Sequence, residues 1–584
     1  MAVENLITEH IDIWTSAVKT KSTSGRGSSK KFELYGVKKL RELILELAVR
    51  GKLVPQDPND EPASVLLERI AQEKAQLVKE KKLKKPKKLP NISDEEKPFD
   101  LPNGWKWVRF PDVAHYGPGK TPATKNSLYW DETGSGIPWV SIADLNDKST
   151  VSVSTKKVSN IAVEQVFKRT PIPAGTMLMS FKLTVGKASI LNVDAFHNEA
   201  IISVFPYTGV LQSYLFKVLP SRANSGNKKN AIMGFTLNAE SLSLLTIPLP
   251  PEAEQHRIVA KVDELMVLCD QLEQQTEASI EAHQVLVTTL LDTLTNSADA
   301  DELMQNWARI SEHFDTLFTT EESIDQLKQT ILQLAVMGKL VPQDPSDEPA
   351  AELLKRIAEE KAQLVKEKKI KKEKALPPIS EDEKPFELPS GWEWCRLGSA
   401  CKKLTDGSHN PPPNHEGGFP MLSCKEVYDG RIDFSLASRF VDQDGFDKEN
   451  KRTAIKAGDV LLNIVASIGR SAIVPEKFPP FVLQRNVAVL DSEISSEYLT
   501  EFLMSPMALN YYDKNAKGTA QKVIYLGKLS EMLVPVPPQC EQDRIVKQLR
   551  EMMDLCSKLK LWITNAQVSQ VQLADAIVEQ AVSP

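Results

Sequence analysis

The chain states one module twice. Residues 40–109 realign with residues 327–396 at a shift of 287 positions, and 50 of the 70 aligned residues are identical. The densest match sets LAVRGKLVPQDPNDEPA from Leu47 against LAVMGKLVPQDPSDEPA from Leu334. The same shift returns far downstream, where IPLPPEAEQHRIV (Ile247–Val259) answers VPVPPQCEQDRIV (Val534–Val546). A period this long is no solenoid repeat, so a whole module has been duplicated. Two copies of one module can be related by an approximate two-fold axis, which suits a target in two parts.

Neither proline nor glycine occurs from Glu252 to Met337, a strong helical signal. Ile258, Val262, Leu265, Cys269 and Leu272 step by four and three, the spacing of a coiled-coil seam. Short polar residues at Asn296–Asp301 mark a break and restart. The second copy keeps the rhythm through Ile545, Leu549, Met552, Cys556, Leu559, Ile563, Ala566, Leu573 and Ile577. The spacing predicts helices over 253–294 and 540–582, the first roughly 60 Å long at 1.5 Å per residue. Matching seams predict that the two pair as an antiparallel coiled coil. Shorter helices are expected at about 38–50 with 60–84, and at 324–337 with 347–371. Gly51 and Gly338 act as their C-terminal stops.

Between these helical zones the texture changes. Glycines return, with β-rich runs such as Ile137–Ile142, Ala200–Phe205, Asp459–Val465 and Asn486–Leu490. The expected fold is mixed α/β: two globular domains separated by a long helix pair, with pseudo-two-fold, circular organisation. The plan is a helical extension at 1–37, repeat helices and a lysine-rich linker at 38–99, and a first globular domain at 100–252. A central long helix with its own repeat helices and linker follows at 253–386, then a second globular domain at 387–539 and a final long helix at 540–584. The frame Gly136-Ile137-Pro138-Trp139 answers Gly418-Phe419-Pro420-Met421, and Ala174–Lys187 answers Ala457–Arg470. Inside the domains the shift drops to 282 or 283, so loops differ while the frame is kept. Loops are where recognition diverges.

Composition bounds the function classes. No secretory leader and no 18-residue apolar run are read in the chain, which suggests a cytoplasmic protein with no membrane partner. Six cysteines without a CxxC pair fit a reducing compartment and small buried hydrophobes. The net charge of −6 weighs against nucleic acid only as a whole-chain sum, because phosphate contact needs a local basic surface. Two local runs, Lys79–Lys88 and Lys366–Lys374, are repeat equivalents; as solvated helix ends they need no ligand.

The enzymatic motifs fail. Gly117–Thr121 resembles the end of a phosphate loop, but Ala114 stands where the earlier glycine belongs. Asn410–Pro413 resembles the motif that holds a target amine in amino-methyltransferases, but its fourth residue is proline and cannot stack on a base. The eight histidines make no zinc quartet, so no catalytic residue, metal or cofactor is expected in this chain. Recognition fares better. Ser180–Lys187 and Asn463–Arg470 place polar residues and a terminal cation around a glycine, between apolar runs. Lys182, Thr184, Lys187, Ser467 and Arg470 are the expected DNA contacts. Lys228 and Lys229 in Gly226–Asn230, Gln521 and Lys522 in Gly518–Lys522, and His409 join them as further candidates. Taken singly, each is slightly more readily an ordinary hairpin tip than a contact.

Together the duplicated GKLVPQDP segment, the lysine-rich stretch, the GIPW and AG frames, and the twice-used IPLPP-x-x-EQ-x-RIV resemble the specificity subunit of type I restriction-modification enzymes. The resemblance covers essentially the whole chain, and the amino-terminal helical extension is similar to the subgroup called type IB. It implies that each globular domain is a target-recognition domain reading one half of an asymmetric bipartite site in double-stranded DNA. It also implies that the helices fix the gap and dock two methyltransferase subunits, through Arg257, Ile258, Val262 and Leu265 and through Arg544, Ile545, Leu549 and Met552. Those partners would methylate adenine with S-adenosylmethionine, and restriction subunits would translocate and cleave DNA with ATP and magnesium. The Gly-Thr-x-Gln pattern associated with the family occurs at Gly518–Gln521, while the first domain reads Ala231-Ile232-Met233-Gly234 instead. A helical interaction scaffold without sequence-specific DNA binding is the rival reading, and a complete modification enzyme is a weaker one.

Overall fold

A computed structural model describes residues 3–21, 31–83, 88–225, 229–231, 234–368, 370, 375–428, 430–518 and 521–583. Lys228 and parts of both lysine-rich runs lie outside them. The chain divides into two units, Met1–Ala278 with Gln567–Pro584, and Ser279–Ala566. Two long helices, Glu252–Asn296 and Gln539–Val582, each continue from one unit into the other. At 45 and 44 residues they are about 67 and 66 Å long.

In the first unit a sheet-rich domain holds a five-stranded sheet. Its order is Ala114–Pro118, Ile201–Pro206, Met177–Ser180, Ala188–Leu191 and Ser149–Val151. The last strand joins in parallel and the others are antiparallel. The second unit repeats the first four positions with Cys401–Asp406, Val487–Ser492, Val460–Asn463 and Ser471–Ile473. The central strands are buried throughout, matching their continuous apolar runs. Each domain is closed by an antiparallel pair joining its entering and leaving segments: Lys106–Arg109 with Thr246–Leu249, and Glu393–Arg396 with Leu533–Val536. The chain therefore leaves each domain where it entered, and two prolines turn it into a long helix.

The repeated motifs meet at that exit. In the first unit the buried carboxylate of Glu254 accepts the indole N–H of Trp105 (2.8 Å) and the amide of Gln56 (2.7 Å). Gln255 accepts from the Leu211 backbone (2.8 Å), and Arg257 is paired with Asp60. The second unit repeats the knot. Gln343 donates to Glu541 (3.2 Å), Gln542 accepts from the Ser495 backbone (2.8 Å), and Arg544 bonds Asp347 (2.5 Å). Burial pushes both Glu254 and Glu541 above the usual carboxylate range. The PQDP, GW and EQ-x-RIV motifs, about 200 residues apart in sequence, are thus one contact network. Gly51 and Gly338 close the repeat helices beside it at φ of +66° and +70°, where a side chain would collide with Pro102 or Pro389.

The repeat helices Tyr35–Val49 and Glu321–Val336 each tie two long-helix segments together. In the first unit Arg41 reaches Asp270 and Glu273 (both 2.6 Å), while Tyr35 and Lys39 reach Asp575 (2.8 and 3.2 Å). In the second unit Gln326 reaches Thr288 (3.2 Å), while Lys328 and Lys560 tie the same helix to the other long helix. The seam residues Ile258, Val262, Leu265, Ile545 and Leu549 are buried, and Met552 is half-buried. In the second unit, Ile545 and Leu549 share one core with the repeat helix's Ile324, Leu327 and Ile331, and with Leu291 of the other long helix. The seam is therefore engaged by a third helix in addition to any facing seam. One position of the expected rhythm slips: Leu573 is 49% exposed and Ala574 is buried in its place. After Ile563 the stripe follows steps that favour 574 over 573, the drift of a 3.6-residue helix past a 3.5-residue repeat.

The knot generates a direct expectation. Glu254→Ala leaves the buried Trp105 indole N–H unpaired, while the exposed Gln56 keeps its bond to the Gly51 carbonyl (3.1 Å), and lowers the chain's unfolding free energy by about 1–3 kcal/mol. A urea titration followed by tryptophan fluorescence checks this, and an unchanged midpoint would show that the carboxylate is incidental.

Candidate nucleic-acid interface

The strand Met177–Ser180 runs into a loop that one hydroxyl organises. Ser180 Oγ donates to the Thr184 carbonyl and accepts the Lys187 backbone N–H (3.1 Å), while the Gly186 N–H bonds the Ser180 carbonyl (2.8 Å). Leu183 sits at φ +65°, a costly conformation for a branched side chain. In the second unit Asn463 stands where Ser180 stands. Its Nδ2 donates to Ser467 Oγ (3.1 Å) and to the carbonyls of Cys424 (3.1 Å) and Val427 (3.2 Å). Ala466 takes Leu183's place at φ +64°. Two different anchors hold one loop shape.

The structure brings together segments that sequence reading kept apart. Lys182–Leu183 pairs with Gly234–Thr236, which pairs on its other side with Lys229–Ala231. Lys182 and Lys229 both lie opposite Thr236, on strands about 10 Å apart across it. The second unit forms the same patch from isolated bridges. Val523 pairs with both Val465 and Lys517, and Ala466 N–H bonds the Lys522 carbonyl (3.0 Å). The loop carrying Ser467 and Arg470 therefore adjoins the tip carrying Gln521 and Lys522.

Side chains on these patches differ in availability. Thr184, Arg470, Gln521 and Lys522 are exposed, and Lys182 is half-buried against the Phe181 ring (5.3 Å). Lys187 is not a free cation: its Nζ donates to the Ile142 carbonyl (3.3 Å). Ser467 is occupied by Asn463, and Lys522 is paired with Asp513 (2.7 Å). His409 bonds Asp406 (2.8 Å), which also pairs with Arg452. The residues expected to dock partners are largely spent inside the molecule. Arg257 and Arg544 hold Asp60 and Asp347, and their apolar neighbours are core. Exposed apolar side chains lie instead at Leu555, Leu561 and Trp562 in the second unit, and at Val267 and Leu268 in the first.

Sequence reading passed over Tyr428. Two guanidinium groups stand over its ring, Arg431 at 5.2 Å and Arg470 at 6.0 Å, on the short hairpin Val427–Tyr428 with Arg431–Ile432. The Asp-Gly dipeptide between those strands in the sequence was the available signal. Stacked guanidiniums keep their N–H edges free for phosphate or guanine. In the first unit Lys156 stands over Trp130 at 5.2 Å. Charge is local as well: residues 101–250 carry 15 lysines and arginines against 9 acidic residues.

The phosphate-loop lookalike is resolved by packing. Gly119 lies against the His197 carbonyl, where any Cβ would clash, and Lys120 Nζ is taken by the Val166 carbonyl (3.0 Å). The glycine serves close backbone approach, and Gly407 repeats the contact against Leu483. Among the described residues no cluster of metal-ligating side chains is present and no helix is long and apolar enough to cross a membrane.

Residues 102–282 and 389–567 match the family model for the type I restriction modification DNA specificity domain. The specificity subunit of the type I restriction enzyme EcoAI from Escherichia coli is 44% identical, with both chains covered in full. That of EcoEI from Escherichia coli is 41% identical, again across both whole chains. A solved structure, the HsdS subunit from Thermoanaerobacter tengcongensis, aligns over 83% of this chain and 98% of its own at 18% identity, with a TM-score of 0.38.

His197 offers a check on the first patch's foundation. It is fully buried, its Nδ1 lies 3.2 Å from the Asn198 carbonyl, and its Nε2 has no partner among the described residues. Burial pushes its pKa down to about 4, so the folded state holds it neutral while the unfolded state protonates near 6.5. Stability is complete above about 6.5 and falls as pH drops from there to 4, by on the order of 3 kcal/mol. Melting temperature against pH should show this decline and His197→Gln should flatten it; an equal decline in both proteins excludes the histidine as its source.

Proposed function

Because the chain belongs to the type I restriction-modification DNA specificity family, we propose that its two sheet-rich domains each read one half of a bipartite site in double-stranded DNA. One observation carries the reading: the same three-segment patch is built twice, on the same strand frame, with different side chains. Lys182, Thr184 and Lys229 serve the first half-site. Arg470, Gln521 and Lys522 serve the second, with Arg431 and Tyr428 beside them. Unlike readers require unlike half-sites, so the target is asymmetric.

The chain itself performs recognition and assembly, without catalysis. The exposed apolar residues Leu555, Leu561 and Trp562, and Val267 with Leu268, receive two methyltransferase subunits. Those subunits use S-adenosylmethionine, and restriction subunits using ATP and magnesium complete the complex. The setting is the cytoplasm. The domain plan set out from the sequence is proposed unchanged, with 100–252 and 387–539 as the readers. The long helices set the gap between half-sites, whose centres lie about 34 Å apart.

Salt dependence of duplex binding, in the presence of the methyltransferase partner, separates this from the scaffold reading. Recognition predicts a steep loss of affinity with salt and a retained sequence preference. Lys182→Ala should weaken binding on all sequences and lower the salt slope by about 1, whereas Arg470→Ala should relax preference within one half-site only. A flat salt response would leave only the scaffold. Inserting one heptad into both long helices should change the tolerated gap and keep both half-sites, read by mapping methylated adenines; an unchanged gap would exclude the helices as its ruler.

A further inference from the structure

The two units share an aromatic pair and differ in what stands over it. In the first unit Phe99 and Trp107 form a tilted aromatic pair with centroids 5.0 Å apart at 55°. Two arginines of the same chain cover it. The Arg50 guanidinium stands 4.7 Å from the Phe99 ring, and that of Arg222 stands 5.3 Å from the Trp107 ring. Arg50 also bonds Glu46 (2.7 Å) and the Val582 carbonyl (2.8 Å), and Arg222 bonds the Thr246 carbonyl (3.0 Å).

The second unit keeps the pair and omits the arginines. Phe386 and Trp394 lie 5.1 Å apart at 56°, the same geometry within a degree. At the shift of 287, Met337 stands where Arg50 stands. The hydroxyls of Tyr214 and Tyr498 bond equivalent carbonyls, Pro248 and Pro535, and counting from those tyrosines puts Pro506 where Arg222 stands. Among the described residues no cation stands over either ring. A cavity of about 1080 Å³ opens there instead, and Met337, Pro506 and Phe386 all line it.

The lining favours a cation. Asp292, Asp325, Glu383 and Glu531 line it with Arg396 and Lys514; Asp325 is paired with Lys560, Glu383 with Arg396 and Glu531 with Lys528, while Asp292 has no ion pair among the described residues. Gln329 lines it too, and its buried Oε1 accepts no hydrogen bond among the described residues. An orphaned acceptor, a half-buried phenyl ring with no cation over it among the described residues, and the Asp292 carboxylate together describe the surroundings of a guanidinium. The first unit displays that occupant. We propose that this cavity is a docking site for arginine side chains of a partner protein, in the seat that Arg50 and Arg222 fill in the first unit. The two repeats therefore offer unlike surfaces to whatever assembles on them. This is independent of the DNA reading, since binding at the site is measured without DNA.

The test uses the full chain and a short labelled helical peptide, acetylated and amidated, with two arginines one turn apart. Fluorescence anisotropy should give one peptide bound per chain, about tenfold tighter than a lysine version of the same peptide. Met337→Arg, which restores the first unit's own plug, should abolish that binding while leaving the melting temperature unchanged or raised. Arg50→Met with Arg222→Ala should open the first seat and raise the stoichiometry from one to two. Phe386→Ala, which removes the ring and keeps the cavity, should weaken binding about tenfold. Equal affinity for the arginine and lysine peptides, or unchanged binding by the Met337→Arg chain, would overturn the proposal. A stoichiometry that stays at one in the Arg50→Met, Arg222→Ala chain would overturn its comparison between repeats.

Discussion

A buried carboxylate at the root of each long helix is the constraint on which the rest depends. Glu254 and Glu541 are taken out of water and held by donors from segments some 150 to 200 residues away. A buried charge without such partners would be strongly unfavourable, so the geometry at this point is tightly specified. The sheet-rich domain, the repeat helix and the long helix converge there. Fixing that junction fixes the direction in which each rod leaves its domain, and with it the relation between a reader and the element that carries it.

Away from the junction the two copies are free to diverge, and they do so in a graded way. The strand frame is kept because its residues are buried on both faces. The loop after the central strand keeps its shape while its anchor changes from Ser180, which bonds the Thr184 and Lys187 backbone, to Asn463, which bonds the Ser467 hydroxyl and the Cys424 and Val427 carbonyls. The exposed residues at the patch share almost nothing. Burial thus separates what duplication must preserve from what recognition can vary, and the candidate interface lies on the variable side of that line.

Much of this was legible in the chain. The duplication, the long helices, their break at Asn296 and the glycine stops at Gly51 and Gly338 follow from period, missing prolines and turn chemistry, all local signals. Loop candidates were legible as loops. Their association was not: nothing in spacing says that Lys182 and Lys229 face one strand, or that Ala466 bonds Lys522. Availability was equally hidden. Lys187, Ser467 and His409 look like free polar groups in sequence, and each has an intramolecular partner that only folding supplies. The residues expected at the docking and coiled-coil seam are buried, and a seam rich in isoleucine and leucine reads the same whether it faces a partner or the chain's own repeat helix.

The sequence by itself determined the module, its duplication, the helical and sheet-rich zones, and the family to which the chain belongs, because periodicity and repeated motifs are written along the backbone. Tertiary structure alone decided which side chains are spent and which are free. It also decided that the PQDP, GW and EQ-x-RIV motifs are one network, and that two arginines stand over an aromatic pair in one unit while no cation among the described residues does so in the other. The physical reason is the same in each case: hydrogen bonds, ion pairs and burial are relations between distant segments, and a linear order of residues specifies them only through the fold.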